Sequence, residues 1–288
     1  MSKCLFLFIE GALSTSDLDK SALSTCKHQT LDQITNQGGT TLIHTRKVLD
    51  SSQINEDTAL LTQLFDYYDP IMPVDEEEEK EWTQNPNHKR EKQSLFFRFK
   101  KLKVHTLTSN ERVLPIFEHR KDTAEHVSSW GTELVEKACD LLNANDILII
   151  HDNISHLENS QKVQHIERLD ALYREIQEAF PKKHGMKIYS TLVLSSPYNT
   201  VLPVVEKKSI VSPLQSYQQK NGQDISHLVH NKPSMVCVQY CQDETRRDNN
   251  TVMSESYCIN NAGNSSMLID FIIPEVAYKL RKSPKYGA

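Results

Sequence analysis

A chain of 288 residues, 38% apolar and 25% charged, can bury one large core or two small ones and is too apolar to be a disordered polymer. Its formal charge of −5 and pI near 6.2 argue against nucleic acid or an anionic membrane as a general partner. Only 8 residues are glycine, too few to expect the glycine-rich loops that cradle phosphates.

The first element is an apolar run, Cys4 to Ile9 (CLFLFI), closed by Glu10. It is too short for a signal peptide or a membrane span, so it reads as a buried first strand and the protein as cytoplasmic. Six cysteines stand at 4, 26, 139, 237, 241 and 258 without a CxxC pair, the pattern of reduced thiols in a core. Cys237 and Cys241 share one face of a strand (MVCVQYC), where packing is a simpler reading than zinc. Leu31 and Ile34 before Gly38-Gly39 predict a short helix, and Thr40 to Ile43 a second strand. The polar turn Asn55-Glu56-Asp57-Thr58 then opens a helix over Thr58 to Phe65, ending near Asp69-Pro70. From 71 to 115 an acidic block (Asp75 to Glu79) gives way to a basic one (Lys89 to Lys103) with no clear period. This predicts a charged, exposed and partly flexible insertion.

Regular patterning returns with Leu134, Val135, Ala138, Leu141 and Leu142, a helical stripe followed by a turn at Asn145-Asp146. Ile147 to Ile150 is a continuous apolar strand of the kind covered on both faces in parallel sheets. Val163, Ile166, Leu169, Tyr173, Ile176 and Phe180 predict a long amphipathic helix that Pro181 should stop. Strand IYSTLVLSS, a polar segment to about Asn231, strand SMVCVQYC and a last helix over Met267 to Lys282, interrupted at Pro274, complete the chain. Alternating strands and helices indicate an α/β fold, a sheet between two helical layers. In such sheets ligands bind beyond the carboxyl ends of the strands. The residues to inspect are therefore Glu10, His151-Asp152 with His156, Ser195-Ser196-Pro197, and His227 and His230.

Several ordered stretches carry a resemblance to a known family. "FIEGA" stands where that family has an apolar strand ending in Asp-Gly, and "EDTALLTQLFDYYDP" resembles its "SDTAHLALLGYDP". "HQTLDQITNQGGTTLI" is similar to its "TPNLDKLA…G…GL". "HDNISHLENSQKVQHIERLDALYREI" resembles "DEAGHDG" followed by a helix with a "K…IE…D" pattern. "HNKPSMVCV" and the terminal "KYGA" are similar to its "HSGDPVPV" and Phe-Gly-Ala. The family is the cofactor-independent phosphoglycerate mutases, especially the archaeal-type branch, within the alkaline phosphatase superfamily. The resemblance implies a three-layer, alkaline-phosphatase-like α/β sandwich with a mostly parallel sheet, a single domain over 1–288.

It also implies a site. Family members hold two Mn or Zn ions at the strand ends, where a metal-activated serine takes up the phosphoryl group. Mapped onto this chain, the strand-one Asp is Glu10, a longer carboxylate and a weaker ligand candidate. The nucleophile position is Glu56, which has no hydroxyl, and an Asp-His ligand pair is replaced by Ser196-Pro197. Asp152, His156 and His230 match the second metal's Asp, His and His. The cap domain that grips substrate phosphates in the family is represented only by 71–115.

Two expectations follow. In the first, the chain is a pseudoenzyme, a protein-interaction scaffold or subunit that needs no cofactor, has no catalytic residues and binds a protein partner. In the second, it is a divergent metal-dependent phosphoesterase or phosphomutase with one Zn or Mn at Asp152, His156 and His230 and with Glu10 or Glu56 as base or further ligand. A phosphorylated small molecule is the ligand class such a crevice would admit.

Overall fold

A computed structural model describes residues 2–14, 21–47, 56–66, 102–117, 123–203, 219–220, 223–262 and 266–283, together with Lys80 and Gln84. Eight strands form the central sheet: β1 (Ser2–Glu10), β2 (Gly39–His44), β3 (Val104–Thr108), β4 (Ala124–His126), β5 (Ile147–Asn153), β6 (Lys187–Ser195), β9 (Met235–Cys241) and β10 (Ser266–Leu268). Their order is β10-β2-β9-β6-β1-β5-β3-β4, and β9 alone runs antiparallel to its neighbours. A separate hairpin pairs β7 (Gln219–Lys220) with β8 (Gln223–Asp224). The helices are α1 (Ala22–Thr25), α2 (Gln29–Gln37), α3 (Ala59–Leu64), α4 (Leu134–Ala144), α5 (Asn159–His184), α6 (Glu255–Asn261) and α7 (Ile272–Lys279).

The two faces of β1 explain the layers. Side chains alternate along a strand, so Leu5, Leu7 and Ile9 point to one side and Cys4, Phe6 and Phe8 to the other. The first set packs in a cluster with Ala138 and Leu142 of α4 and Ile166, Leu169 and Tyr173 of α5. The second packs with Leu60, Leu61 and Leu64 of α3 and Ile272, Ile273 and Val276 of α7. Burying each Leu or Phe stabilises the fold by about 1.5–3 kcal/mol, so a strand apolar on both faces belongs in the middle of a sheet with helices on both sides. The expected α/β class with a mostly parallel sheet is the observed one.

Three sequence expectations change. The predicted insertion over 71–115 is not a uniform exposed segment. Val104–Thr108 is buried along its length between β5 and β4, and a 3-10 helix over Glu111–Phe117 buries Val113 and Phe117. The alternation was masked because three of the five residues in "VHTLT" are polar. His105 lies 3.2 Å from Glu125 and Thr108 lies 2.8 Å from His151, so those groups are hydrogen-bonded inside the sheet. Most of the acidic and basic blocks lie outside the described residues.

Pro181 does not stop α5, which continues to His184. In the last turn the missing N–H forfeits a single bond, and Gly185 at φ 65° ends the helix in the left-handed conformation that glycine tolerates. Pro274 does not break the last helix either. It is the third residue of α7, where the backbone N–H has no partner within the helix, and the preceding residues form β10 and a 3-10 turn, Ile269–Phe271. All six cysteines are free thiols, five of them buried and Cys26 half-buried. Among the described residues no helix is long and apolar enough to cross a membrane.

Candidate functional site at the carboxyl ends of the strands

Because β1, β2, β3, β5 and β6 run in one direction, their carboxyl ends share one edge of the sheet. Register then decides which side chains meet. Phe8 pairs with His151, Glu10 with Asn153 and Thr108 with His151, so Glu10, Thr108, His151 and Asn153 fall on one face. Asp152 points to the other face.

On the first face His151 is fully buried and bonded at both ring nitrogens. Nε2 lies 3.0 Å from Glu10 Oε1 and Nδ1 lies 2.8 Å from Thr108 Oγ1. Asn153 Nδ2 donates to Glu10 Oε2 at 3.3 Å, so both oxygens of that buried carboxylate have partners. The Phe8 ring packs 5.3 Å from the imidazole and shields the pair from water. Gly11 follows at φ 76° with its amide donating to Ser195 Oγ at 3.3 Å. A Cβ at Gly11 would lie 2.3 Å from Ser155 Cα, so the two backbones touch there.

On the second face Asp152 is held by the Ser109 hydroxyl at Oδ1 and by His165 Nδ1, 2.9 Å from Oδ2. Burial pushes the Asp152 pKa up. The hydrogen bonds from His165 and Ser109, with the charge of His165, outweigh it and hold the carboxyl below the usual carboxylate range. His165 stands on α5, its side chain about a third exposed.

Glu56 is exposed at the start of a 3-10 turn, Glu56–Thr58, that leads into α3. That turn is tied to the end of β3: Asn110 Nδ2 donates to the Asp57 carbonyl at 3.1 Å, and Arg112 pairs with the Asp57 carboxylate. Ser196 donates its hydroxyl to the carbonyls of Thr200 and Ser234, each at 3.0 Å, and Pro197 follows without a donor atom. His156 is exposed, as is His227, whose carbonyl accepts from Lys47 Nζ at 3.2 Å. His230 is fixed to the end of β2 by its backbone, with its N–H on Thr45 O at 3.0 Å and its carbonyl 2.9 Å from His44 Nδ1. Its Nε2 is buried without a partner, and burial and Lys47 lower its pKa.

The structure therefore joins Glu10 to His151 and Asp152 to His165. It does not bring Asp152, His156 and His230 together, and among the described residues no group of three or more His, Cys, Asp or Glu could hold a metal ion. A two-metal centre of the type the resemblance implies does not fit these donors. Both oxygens of Glu10 are hydrogen-bonded, to His151 and Asn153, and both of Asp152, to Ser109 and His165, while Ser196-Pro197 offers one hydroxyl already spent on carbonyls.

Thr108, Ser109 and His165 were not legible as site residues in the sequence. The first two lie in the charged stretch that hides β3. His165 sits beside the apolar stripe of α5, where a flanking imidazole is a weak signal.

No family model and no curated protein matches the chain. Its structure is similar to that of PH0037 protein from Pyrococcus horikoshii, with a TM-score of 0.59 at 13% identity, over 100% of this chain and 99% of that one. At that identity the likeness is one of fold. Other neighbours include a cofactor-independent phosphoglycerate mutase from Thermoplasma acidophilum (TM-score 0.49, 10% identity, 95% of this chain and 98% of that one). An alkaline phosphatase from the Antarctic bacterium TAB5 follows (TM-score 0.45, 10% identity, 98% of this chain and 99% of that one).

Proposed function

We propose that this chain is a non-catalytic domain, similar to a phosphoglycerate mutase without its cap, that serves as a protein-interaction scaffold or subunit. One observation carries the proposal. Each oxygen of the carboxylates at the strand ends has a partner inside the protein, Glu10 in His151 and Asn153 and Asp152 in Ser109 and His165. A phosphoryl-transfer centre needs such groups open toward ligand, because its catalysis is mostly positioning and electrostatic stabilisation. Glu56 at the position of the nucleophile supports the same conclusion. A carboxylate there carries the negative charge that a phosphorylated serine would carry.

The test is turnover. Purified protein, assayed on phosphomonoesters and 3-phosphoglycerate with added Mn or Zn, is expected to show no rate above buffer. Glu56→Ser is expected to form no phosphoenzyme, since the hydroxyl alone does not restore the ligands around it. A rate that scales with protein concentration, and is lost in both Asp152→Asn and His156→Ala, would overturn the proposal. So would stoichiometric Zn or Mn in protein purified without added metal.

A further inference from the structure

The sheet has a polar cavity at the edge away from the strand carboxyl ends. It lies on the face covered by α7, near the starts of β2, β6 and β10 and past the end of β9, with a volume of about 700 Å³. Along β6, Tyr189 in this cavity is six residues from Ser195, a separation of roughly 20 Å at strand spacing. Its size is within the range of small-molecule sites.

Its lining is rich in donors that have no acceptor. Arg246, Lys279 and Arg281 line it, and among the described residues none of their side chains has an ion-pair or hydrogen-bond partner. Gln239 Nε2 is buried without a partner. The Tyr189 hydroxyl, on a residue only 3% exposed, has none among the described residues either. Burial and the nearby Glu275 keep that phenol protonated, hence a donor. Two carboxylates, Glu244 and Glu275, also line the cavity, so cations outnumber anions by one. Arg246, Lys279 and Arg281 are exposed, so water solvates them in the open cavity, whereas the Gln239 amide and the Tyr189 hydroxyl are withdrawn from solvent. A ligand that brings acceptors would pair with both kinds of donor, and guanidinium groups match phosphate oxygens best.

Arg281 adds an independent sign. It stands at φ 58°, in the left-handed conformation that ends α7, where glycine or asparagine is the usual residue. A non-glycine residue there costs about 1 kcal/mol, and such strain gathers at functional positions. An arginine thus stands where glycine would be more stable. On the same wall, the exposed ring of Tyr278 offers a flat surface for a planar group, and Glu244 suits a sugar hydroxyl.

We propose that this cavity binds a nucleoside monophosphate, its phosphate on Arg246, Lys279 and Arg281 and its base against Tyr278. The site is separate from the strand carboxyl ends and does not depend on whether those ends are catalytic. Calorimetric titration of the full chain with AMP, GMP and UMP tests it, with inorganic phosphate, adenosine and citrate as comparisons. At least one nucleotide is expected to bind more tightly than phosphate, adenosine or citrate. Arg281→Gly should weaken that binding about tenfold or more, the loss of a charged hydrogen bond. The same variant should melt no lower than the wild type, because glycine relieves the backbone, so weaker binding cannot be ascribed to unfolding. Arg246→Gln, at an exposed position, should act in the same direction. The proposal is overturned if no nucleotide binds, if citrate binds as tightly as the best nucleotide, or if both variants bind it as the wild type does.

Discussion

Glu255→Gln is expected to stabilise the protein at pH 8 and not at pH 4. Glu255 opens α6 and is 1% exposed, with Oε1 accepting from the Ser14 amide at 2.6 Å and Oε2 buried without a partner. Burial raises its pKa from 4.5 to about 7, against the opposing pull of the Ser21 hydroxyl, the Ser14 amide and Lys162. Between those values the folded state holds a proton that the unfolded state has released. Stability is therefore greatest below pH 4.5, falls as pH rises through the window, and levels off above 7. The gap between 4.5 and about 7 amounts to roughly 3 kcal/mol at pH 8. Glutamine keeps the shape and the acceptor for Ser14 and gives up the attraction of a carboxylate to the helix amino end, about half a kcal/mol. The new amide N–H₂ also needs an acceptor, so the net gain is about 2 kcal/mol, or roughly 5 °C in Tm. Urea unfolding of both proteins from pH 4 to pH 8 checks it. A variant less stable than wild type at pH 8, or a difference that does not change with pH, would refute the reasoning.

His28 should remain an imidazolium well into alkaline solution. Its Nε2 lies 2.8 Å from the Leu23 carbonyl, and its Nδ1 is 3.2 Å from Asp32 Oδ1, an ion-pair contact without hydrogen-bond geometry. Burial lowers its pKa, but Asp32, Cys26 and the Leu23 carbonyl more than offset this and raise it to about 11. The stability it contributes is full below the unfolded value of 6.5 and is lost as pH rises toward 11. Its ring resonances should show no deprotonation at pH 9; a midpoint near 6.5 would contradict the geometry. Arg46 and Asp270 form a buried pair at 2.9 Å, 1% and 3% exposed at their side chains. Asp270→Asn should cost about 3 kcal/mol, and Arg46→Met/Asp270→Leu should recover much of it in chemical denaturation, because the single change removes the anion 2.9 Å from a buried cation. Equal losses in the single and double variants would show that the charge imbalance is not the cause. Gly11→Ala should destabilise by about 2–4 kcal/mol or prevent folding, since its Cβ would meet the Ser155 backbone at a positive φ. Wild-type stability in that variant would disprove the close approach.

The doubly covered strands were legible because they are apolar on both faces: CLFLFI and ILII state their place in the sheet without any neighbour. β3 was not, because two of its three polar residues, His105 and Thr108, are matched by partners 20 and 43 positions away in sequence, Glu125 and His151. A periodicity argument sees only local order, whereas a polar strand in a core is specified by distant partners. The "K…IE…D" pattern of α5 has the opposite lesson. Lys162 donates to the Gly11 carbonyl at 2.8 Å, Glu167 accepts the Lys27 amide at 3.0 Å, and Asp170 accepts the Leu31 amide at 2.9 Å. These residues hold the loop after β1 and the start of α2 in place.

The site was harder to read for the same reason. A sequence shows which ligand types stand after each strand but not which face each side chain takes. A shift of one residue in register decides that Asp152 meets His165 while His151 meets Glu10. The extra methylene of glutamate lets Glu10 reach across to the neighbouring strand and bond the imidazole of His151, while Asn153 takes its other oxygen. Carboxylates gathered at strand ends repel one another unless something positive or hydrogen-bonding lies between them. Here the imidazoles of His151 and His165, the Ser109 hydroxyl and the Asn153 amide lie against those carboxylates from within the chain.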